Sequence, residues 1–356
     1  MANTQDSGDK PDKPTLLYPS GEPPESGAAR EVAPGVLWIR MPMPFALTHI
    51  NLWALEDGDG WTIVDTGLQS AETAAAWQDL LPGALRNRPV TRVLVTHMHP
   101  DHVGMAGWLT RKFKCRLWMT RLEYLACRTL VADTGRAAPE DGLAFYRAAG
   151  WGEDSIERYR TRFGSFGKMM HALPDSFRRL HDGECVRIGK HDWTIVVGNG
   201  HSPEHACLYC PELKLLISGD QVLPRISSNV SVFPTEPDAD PLTDWMNSLN
   251  KLKRCVPNDV LVLPAHNEPF RGLHERLDYL ALSQQHALRQ LQSALHEPKR
   301  AIDVFTELFS RPIPPEDHGR FNLATGESIA HLNYLLQRGL AKVDTDDQGV
   351  RWYSAA

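Results

Sequence analysis

Val93-Leu94-Val95-Thr96-His97-Met98-His99-Pro100-Asp101-His102 runs an aliphatic stretch straight into three imidazoles and a carboxylate. Imidazole nitrogen and carboxylate oxygen are donors that divalent zinc, iron and manganese accept. A core seldom absorbs so many titratable groups, because each buried polar atom needs a partner. The run predicts a metal site at the C-terminal end of a short buried strand over 93–96.

Further donors follow apolar runs in the same way. His201 lies in Gly198-Asn199-Gly200-His201-Ser202-Pro203-Glu204-His205, Asp220 in Ser218-Gly219-Asp220, and His266 in Leu263-Pro264-Ala265-His266. Each stands beside Gly, Pro or Ala, where the backbone can turn into a cleft. With the first run they supply two nitrogen-rich sites joined by a carboxylate able to bridge. Thr62-Ile63-Val64-Asp65-Thr66-Gly67 is echoed faintly by Leu215-Leu216-Ile217-Ser218-Gly219-Asp220. Residues 93–97 are echoed by 260–266, which suggests two similar halves meeting across one site, where open α/β sheets place ligands.

Around these donors, apolar runs at 36–39, 49–55 and 61–64 read as strands. The turn Asp57-Gly58-Asp59-Gly60 makes the last two a hairpin. Residues 70–81 read as a helix with Ser70 as N-cap and Pro82-Gly83 as its stop. A helix over 103–113 and a strand over 116–119 follow. Residues 121–180 form a helical insert, and strands resume at 184–188, 193–197, 206–209, 215–217 and 260–263. Strands interleaved with helices predict an α/β layered domain over 32–283. The leader 1–31, rich in Pro, Gly and Ser, is expected to be disordered. The tail 284–356 reads as helices at 287–295, 301–309 and 325–338 and two short strands at 340–343 and 350–353, the order of a winged helix.

The net charge of -6 argues against a chain built around nucleic-acid or anionic-membrane attraction. No stretch reaches the ~18 apolar residues of a membrane span. Cys207 and Cys210 form a C-x-x-C, but residues three apart on a strand face opposite ways. They are expected to be buried thiols in a reducing cytoplasm.

Asp65 in Val64-Asp65-Thr66-Gly67, the H-x-H-x-D-H of residues 97–102, His201, Asp220 and His266 resemble, in order, the five motifs of the metallo-β-lactamase-fold hydrolase superfamily. The resemblance implies an αββα sandwich, here with a helical insert and a small C-terminal winged-helix-like domain. It implies that His97, His99 and His201 hold one metal, that Asp101, His102 and His266 hold a second, and that Asp220 bridges them. Asp65 would orient ligands without binding metal. Two divalent ions are expected, zinc favoured by a donor set without thiolate, with iron and manganese as alternatives. A metal-bridging hydroxide would be the nucleophile, with Asp101 and Asp220 as the catalytic carboxylates and Asp101 accepting or relaying a proton.

The expected activity is hydrolysis of a small ester, thioester or lactone. The alternative is a single-strand endoribonuclease, because one branch of the superfamily carries a C-terminal winged helix and cleaves RNA. Oxygen chemistry on a single iron, as in the persulfide dioxygenase branch, uses similar ligands. In the tail, Lys299, Arg300, Arg311, Arg320, Lys342 and Arg351 are nearly cancelled by acidic neighbours. Nucleic acid is therefore not favoured, and the tail is read as a packing or homodimerisation module. His205 is expected to make a structural hydrogen bond. The Gly-containing stretch 163–170 is expected to be a mobile lid over the site.

Overall fold

The computed structural model describes residues 11–356. The first sheet holds seven strands in sequence order: β1 (Ala29–Ala33), β2 (Val36–Pro42), β3 (His49–Asp57), β4 (Gly60–Val64), β5 (Val90–Leu94), β6 (Arg116–Met119) and β7 (Arg178–Arg179). The second holds β8 (Cys185–Ile188), β9 (His191–Gly198), β10 (His205–Cys210), β11 (Leu215–Gly219) and β12 (Leu261–Pro264), in the order β12-β11-β10-β9-β8. The helices are α1 (Ala71–Leu80), α2 (Pro100–Val103), α3 (Ala106–Phe113), α4 (Arg121–Ala132), α5 (Glu140–Ala148), α6 (Glu153–Arg162), α7 (Pro241–Cys255), α8 (Leu273–Ala294), α9 (Phe305–Leu308) and α10 (His318–Gln337). A hairpin of β13 (Ala341–Thr345) and β14 (Arg351–Ala355) ends the chain.

Strand periodicity explains the layering, because successive side chains leave a strand on opposite faces. Along β3, Ile50, Leu52 and Ala54 pack with Trp77 and Leu80 of α1, whereas Trp53 and Leu55 pack with Trp193 and Ile195 of the second sheet. Along β10, Ala206, Leu208 and Cys210 face the first sheet, and Cys207 faces Trp245 of α7. Three cores separate four layers, helix, sheet, sheet, helix: the expected αββα sandwich. The two cysteines of the C-x-x-C are buried and free, on opposite faces of one strand.

Several expectations change in the fold. Of the leader 1–31, residues 1–10 lie outside the described residues. The remainder is docked where it was expected to be disordered: Leu17 bridges Arg271, Arg30 donates to Ser20 O, and β1 begins at Ala29. The helix expected over 103–113 begins only at Ala106, as α3, and the short α2 ends at Val103 before it. The Met105 N–H leaves the helical ladder for Gly67 O and Thr66 Oγ1, both 3.1 Å away.

In the tail, α8 runs unbroken through the expected boundary at 283/284, and α10 starts at His318, seven residues before the predicted 325. The helix expected over 301–309 contracts to α9, because Asp303 accepts from the backbone N and guanidinium of Arg300 and closes a turn before it.

The stretch 163–170, expected to be a lid, is anchored at its C-terminal end. Gln69 N donates to Met169 O, His171 N donates to Gly104 O, and Met170 is buried beside Cys127. The rest of the insert leans on the C-terminal helices. Tyr146, Trp151 and Ile156 share a core with Phe321 and Ala324, and Trp151 Nε1 donates to Thr325 Oγ1 at 2.9 Å.

Candidate metal centre

Every residue singled out for metal lies at or just beyond the C-terminal end of a strand. His97, His99, Asp101 and His102 follow β5, His201 follows β9, Asp220 follows β11, and His266 follows β12. The sandwich brings them to one edge. One donor atom each from His97, His99, His201 and Asp220 lies within 4.8 Å of the others, and Asp101, His102 and His266 form a second such group.

Asp220 stands between the groups. Its Oδ2 is 3.5 Å from His201 Nε2, 3.6 Å from His102 Nε2 and 4.0 Å from His97 Nε2, and its Oδ1 is 3.6 Å from His266 Nε2. Asp101 Oδ2 lies 3.4 Å from His266 Nε2 and 3.8 Å from His102 Nε2.

The other ring nitrogens are held from behind, which fixes which lone pair faces the cluster. His201 Nδ1 donates to Asn229 O at 2.7 Å, and His266 Nδ1 to His49 O at 3.1 Å. His102 Nδ1 pairs with Asp65 Oδ2 at 2.8 Å. Asp65 does not enter the cluster. Held at φ 59°, it also accepts from Thr96 N and Thr96 Oγ1, both at 2.8 Å. His205 accepts the Asp220 N–H at Nε2, 3.1 Å away, a structural bond to the strand that delivers Asp220. Gly219 permits that approach, since a Cβ at its φ of 50° would sit 2.5 Å from His205 Nε2.

Electrostatics hold His97, His99 and the two carboxyls in ligand-like states and favour the proton on His102 and His266. Burial, reinforced by the imidazoles of His102 and His99, holds His97 well below the ordinary histidine value. Burial and then His201 bring His99 down to about 3. Burial would raise the carboxyls of Asp101 and Asp220. The flanking His102 and His266 bring Asp101 to about 2 and hold Asp220 well below the usual range. Burial opposes charge on His102, but Asp65, Asp101 and Asp220 outweigh it and raise its pKa.

The donor set fits divalent metal on a direct observation. His102 Nε2, His201 Nε2 and Asp220 Oδ1 are buried acceptors with no hydrogen-bond partner among the described residues, and all three turn into the cluster. Such atoms are costly unless something satisfies them, and converging imidazole nitrogens and ionised carboxylates suit a cation, which takes the place of the proton that the carboxylates favour on His102.

Two residues that carry the arrangement have no motif to announce them. Glu123 of α4, fully buried, accepts from Met98 N at 2.8 Å, Ser202 Oγ at 2.6 Å and Glu204 N at 2.8 Å, clamping the first histidine loop to the loop of His201. Asn51 of β3 donates to Pro264 O and Asn267 O and so fixes the turn that carries His266. A lone Glu in a helix and a lone Asn in a strand give no local signal of such roles.

Comparisons with known proteins show the family and the fold. A family profile described as the metallo-beta-lactamase superfamily matches residues 47–266, and one described as a metallo-beta-lactamase-like C-terminal domain matches residues 288–356. The crystal structure of a beta-lactamase domain protein from Burkholderia ambifaria superposes with a TM-score of 0.86 at 38% identity, covering 96% of this chain and 98% of that one. A beta-lactamase-like protein 2 homolog of Caenorhabditis elegans is 23% identical over 76% of this chain and 74% of its own. An acyl-coenzyme A thioesterase of Gallus gallus is 25% identical over 71% of this chain and 84% of its own.

Proposed function

This chain belongs to the metallo-beta-lactamase superfamily, and from that premise we propose that it is a dinuclear metal-dependent hydrolase of small acyl compounds, with thioesters foremost among esters, thioesters and lactones. The observation that carries the reading is the cluster itself: seven side chains in two groups, with Asp220 between them. The similarity to an acyl-coenzyme A thioesterase points to thioesters within that class.

His97, His99 and His201 with Asp220 would hold one ion, and Asp101, His102 and His266, again with Asp220, the other. When bound, the pair would acidify an attacking water and polarise the acyl carbonyl. The chain's own part is orientation and proton traffic. Carbonyls of Asn229 and His49 and the Asp65 carboxylate fix three imidazoles. Asp101 is the more open of the two carboxylates in the cluster, so a carboxylate oxygen that the ion leaves free could relay a proton toward solvent. Zinc suits the thiolate-free donor set, and iron and manganese accept it too.

A second reading, the single-strand endoribonuclease, has one observation in its favour. A groove of about 650 Å³ on the C-terminal helices is lined by His286, Arg289, His296 and Lys299, together with Glu307. One screen separates the two. The metal-loaded chain is assayed on acyl-coenzyme A thioesters, aryl esters, lactones and unstructured RNA. Thioester turnover is expected, falling at least about a hundredfold in His97→Ala and Asp220→Ala while far-UV circular dichroism is kept. Salt-sensitive RNA cleavage without thioester turnover would replace the first reading with the second.

A further inference from the structure

Between Asp220 and α7 the chain runs through residues 221–232 with no regular structure, and one carbonyl of this segment, Asn229 O, holds the His201 ring. Ser218 Oγ donates to Val222 O and Arg225 pairs with Glu268, and further bonds that fix the segment come from the C-terminal helices. Arg276 of α8, almost wholly buried, donates to Leu223 O at 2.6 Å and Ile226 O at 2.7 Å. From α10, Gly326 O accepts from Val232 N at 3.0 Å, Leu323 O lies 3.2 Å from Ser231 Oγ, and Glu327 Oε2 accepts from Asn229 Nδ2 at 2.8 Å. The contact is tight enough to need a glycine, because a Cβ on Gly326 would fall 2.8 Å from Ser231 Cβ and 2.9 Å from Val232 O.

We infer that Glu327, on the C-terminal helix α10, is a positioning residue for His201. It fixes Asn229, and the Asn229 carbonyl holds the imidazole with Nε2 turned toward Asp220. The backbone carbonyl supplies the bond to the ring, and the Asn229 side chain, gripped by Glu327, sets where that carbonyl stands. The C-terminal helices thus shape one half of the cluster without donating a ligand to it. Partners behind a ligating histidine fix its ring and its basicity, so their loss registers as weakened metal binding at that half alone.

The inference rests on the metal-centre reading, and the test keeps the two apart. Cobalt(II) is titrated into the metal-stripped chain against a competing chelator, with the visible absorption of the ion as readout. Glu327→Ala is expected to weaken one of two binding steps by about tenfold and to alter the absorption of that ion, leaving the other step unchanged. Glu327→Gln, which keeps an acceptor for Asn229 Nδ2, should recover most of both. Asn229→Ala should reproduce the Glu327→Ala spectrum and serves if that variant does not fold. Arg338→Ala, which removes an ion pair between the residue that follows α10 and Asp240 before α7, controls for general loosening and should leave the spectrum unchanged. Glu327→Ala and Asn229→Ala with parental affinity and spectrum would overturn the inference alone. A parent chain that takes up no cobalt would overturn the metal-centre reading and the inference with it.

Discussion

Glu123 is fully buried, with three donors converging on its one carboxylate. Burial pushes its pKa up, against the pull of Ser202 and of the N–H groups of Glu204 and Met98. Removing the carboxylate strands all three donors, and an unsatisfied buried donor costs roughly 1–3 kcal/mol. Glu123→Ala is therefore expected to lower stability by about 2–4 kcal/mol in urea denaturation and to bind less metal, because the loops of His97 and His201 lose their common anchor. Glu123→Gln keeps one acceptor oxygen but turns an NH₂ toward a donor, so it should fall between the parent and Ala. An Ala variant within about 0.5 kcal/mol of the parent would show that the donors find other partners.

At the scale of elements, the turn from β3 to β4 couples the two sheets. Asp57 Oδ2 accepts from Thr62 Oγ1, Thr91 Oγ1 and Arg92 Nη2, and its Oδ1 accepts from Gly189 N in the turn between β8 and β9. Burial would raise this carboxyl, but the Thr91 hydroxyl, Gly189 N–H, Arg92 and Thr62 together hold it below its usual value. A lowered folded-state pKa contributes stability above the unfolded value of about 4, and that contribution is lost as pH falls through the folded value. Asp57→Asn is thus expected to cost about 2 kcal/mol at pH 7, with the difference from the parent shrinking below about pH 4. Urea midpoints of both chains at pH 7 and pH 3 check this. A gap of equal size at both would mean that packing, and not charge, carries the effect.

At the scale of the whole molecule, the outer core of the second sheet belongs to several regions at once. Val196 and Leu216 of that sheet, Trp245 of α7, Tyr146 and Trp151 of the insert and Phe321, Ile329 and Leu332 of α10 form one continuous cluster. Deleting residues 288–356, the span matched by the C-terminal profile, would expose the far side of that cluster to water. Large exposed apolar patches drive association. A chain of residues 1–287 is therefore expected to aggregate on gel filtration and to lack a sharp thermal transition. A monomer that melts cooperatively would show instead that the two regions fold independently.

The donors His97, His99, Asp101, His102, His201, Asp220 and His266 were legible in the sequence because each lies next to an apolar strand in a short polar motif, and strand alternation is a local property. An α/β layered domain followed from the same periodicity, and the αββα order from the family resemblance. Helix boundaries in the tail, the anchoring of residues 163–170 and the docking of residues 11–31 did not follow. They depend on partners such as Gln69, Gly104 and Arg271 that are remote in the chain. Glu123, Asn51, Asn229 and Glu327 were silent for the same reason: each acts through a hydrogen bond to a distant loop, and no spacing rule encodes such a bond. The sequence by itself therefore determined which side chains can bind and the sheets that deliver them. The tertiary structure alone decided how their rings are turned, because hydrogen bonds between residues far apart in the chain form only once the layers have packed.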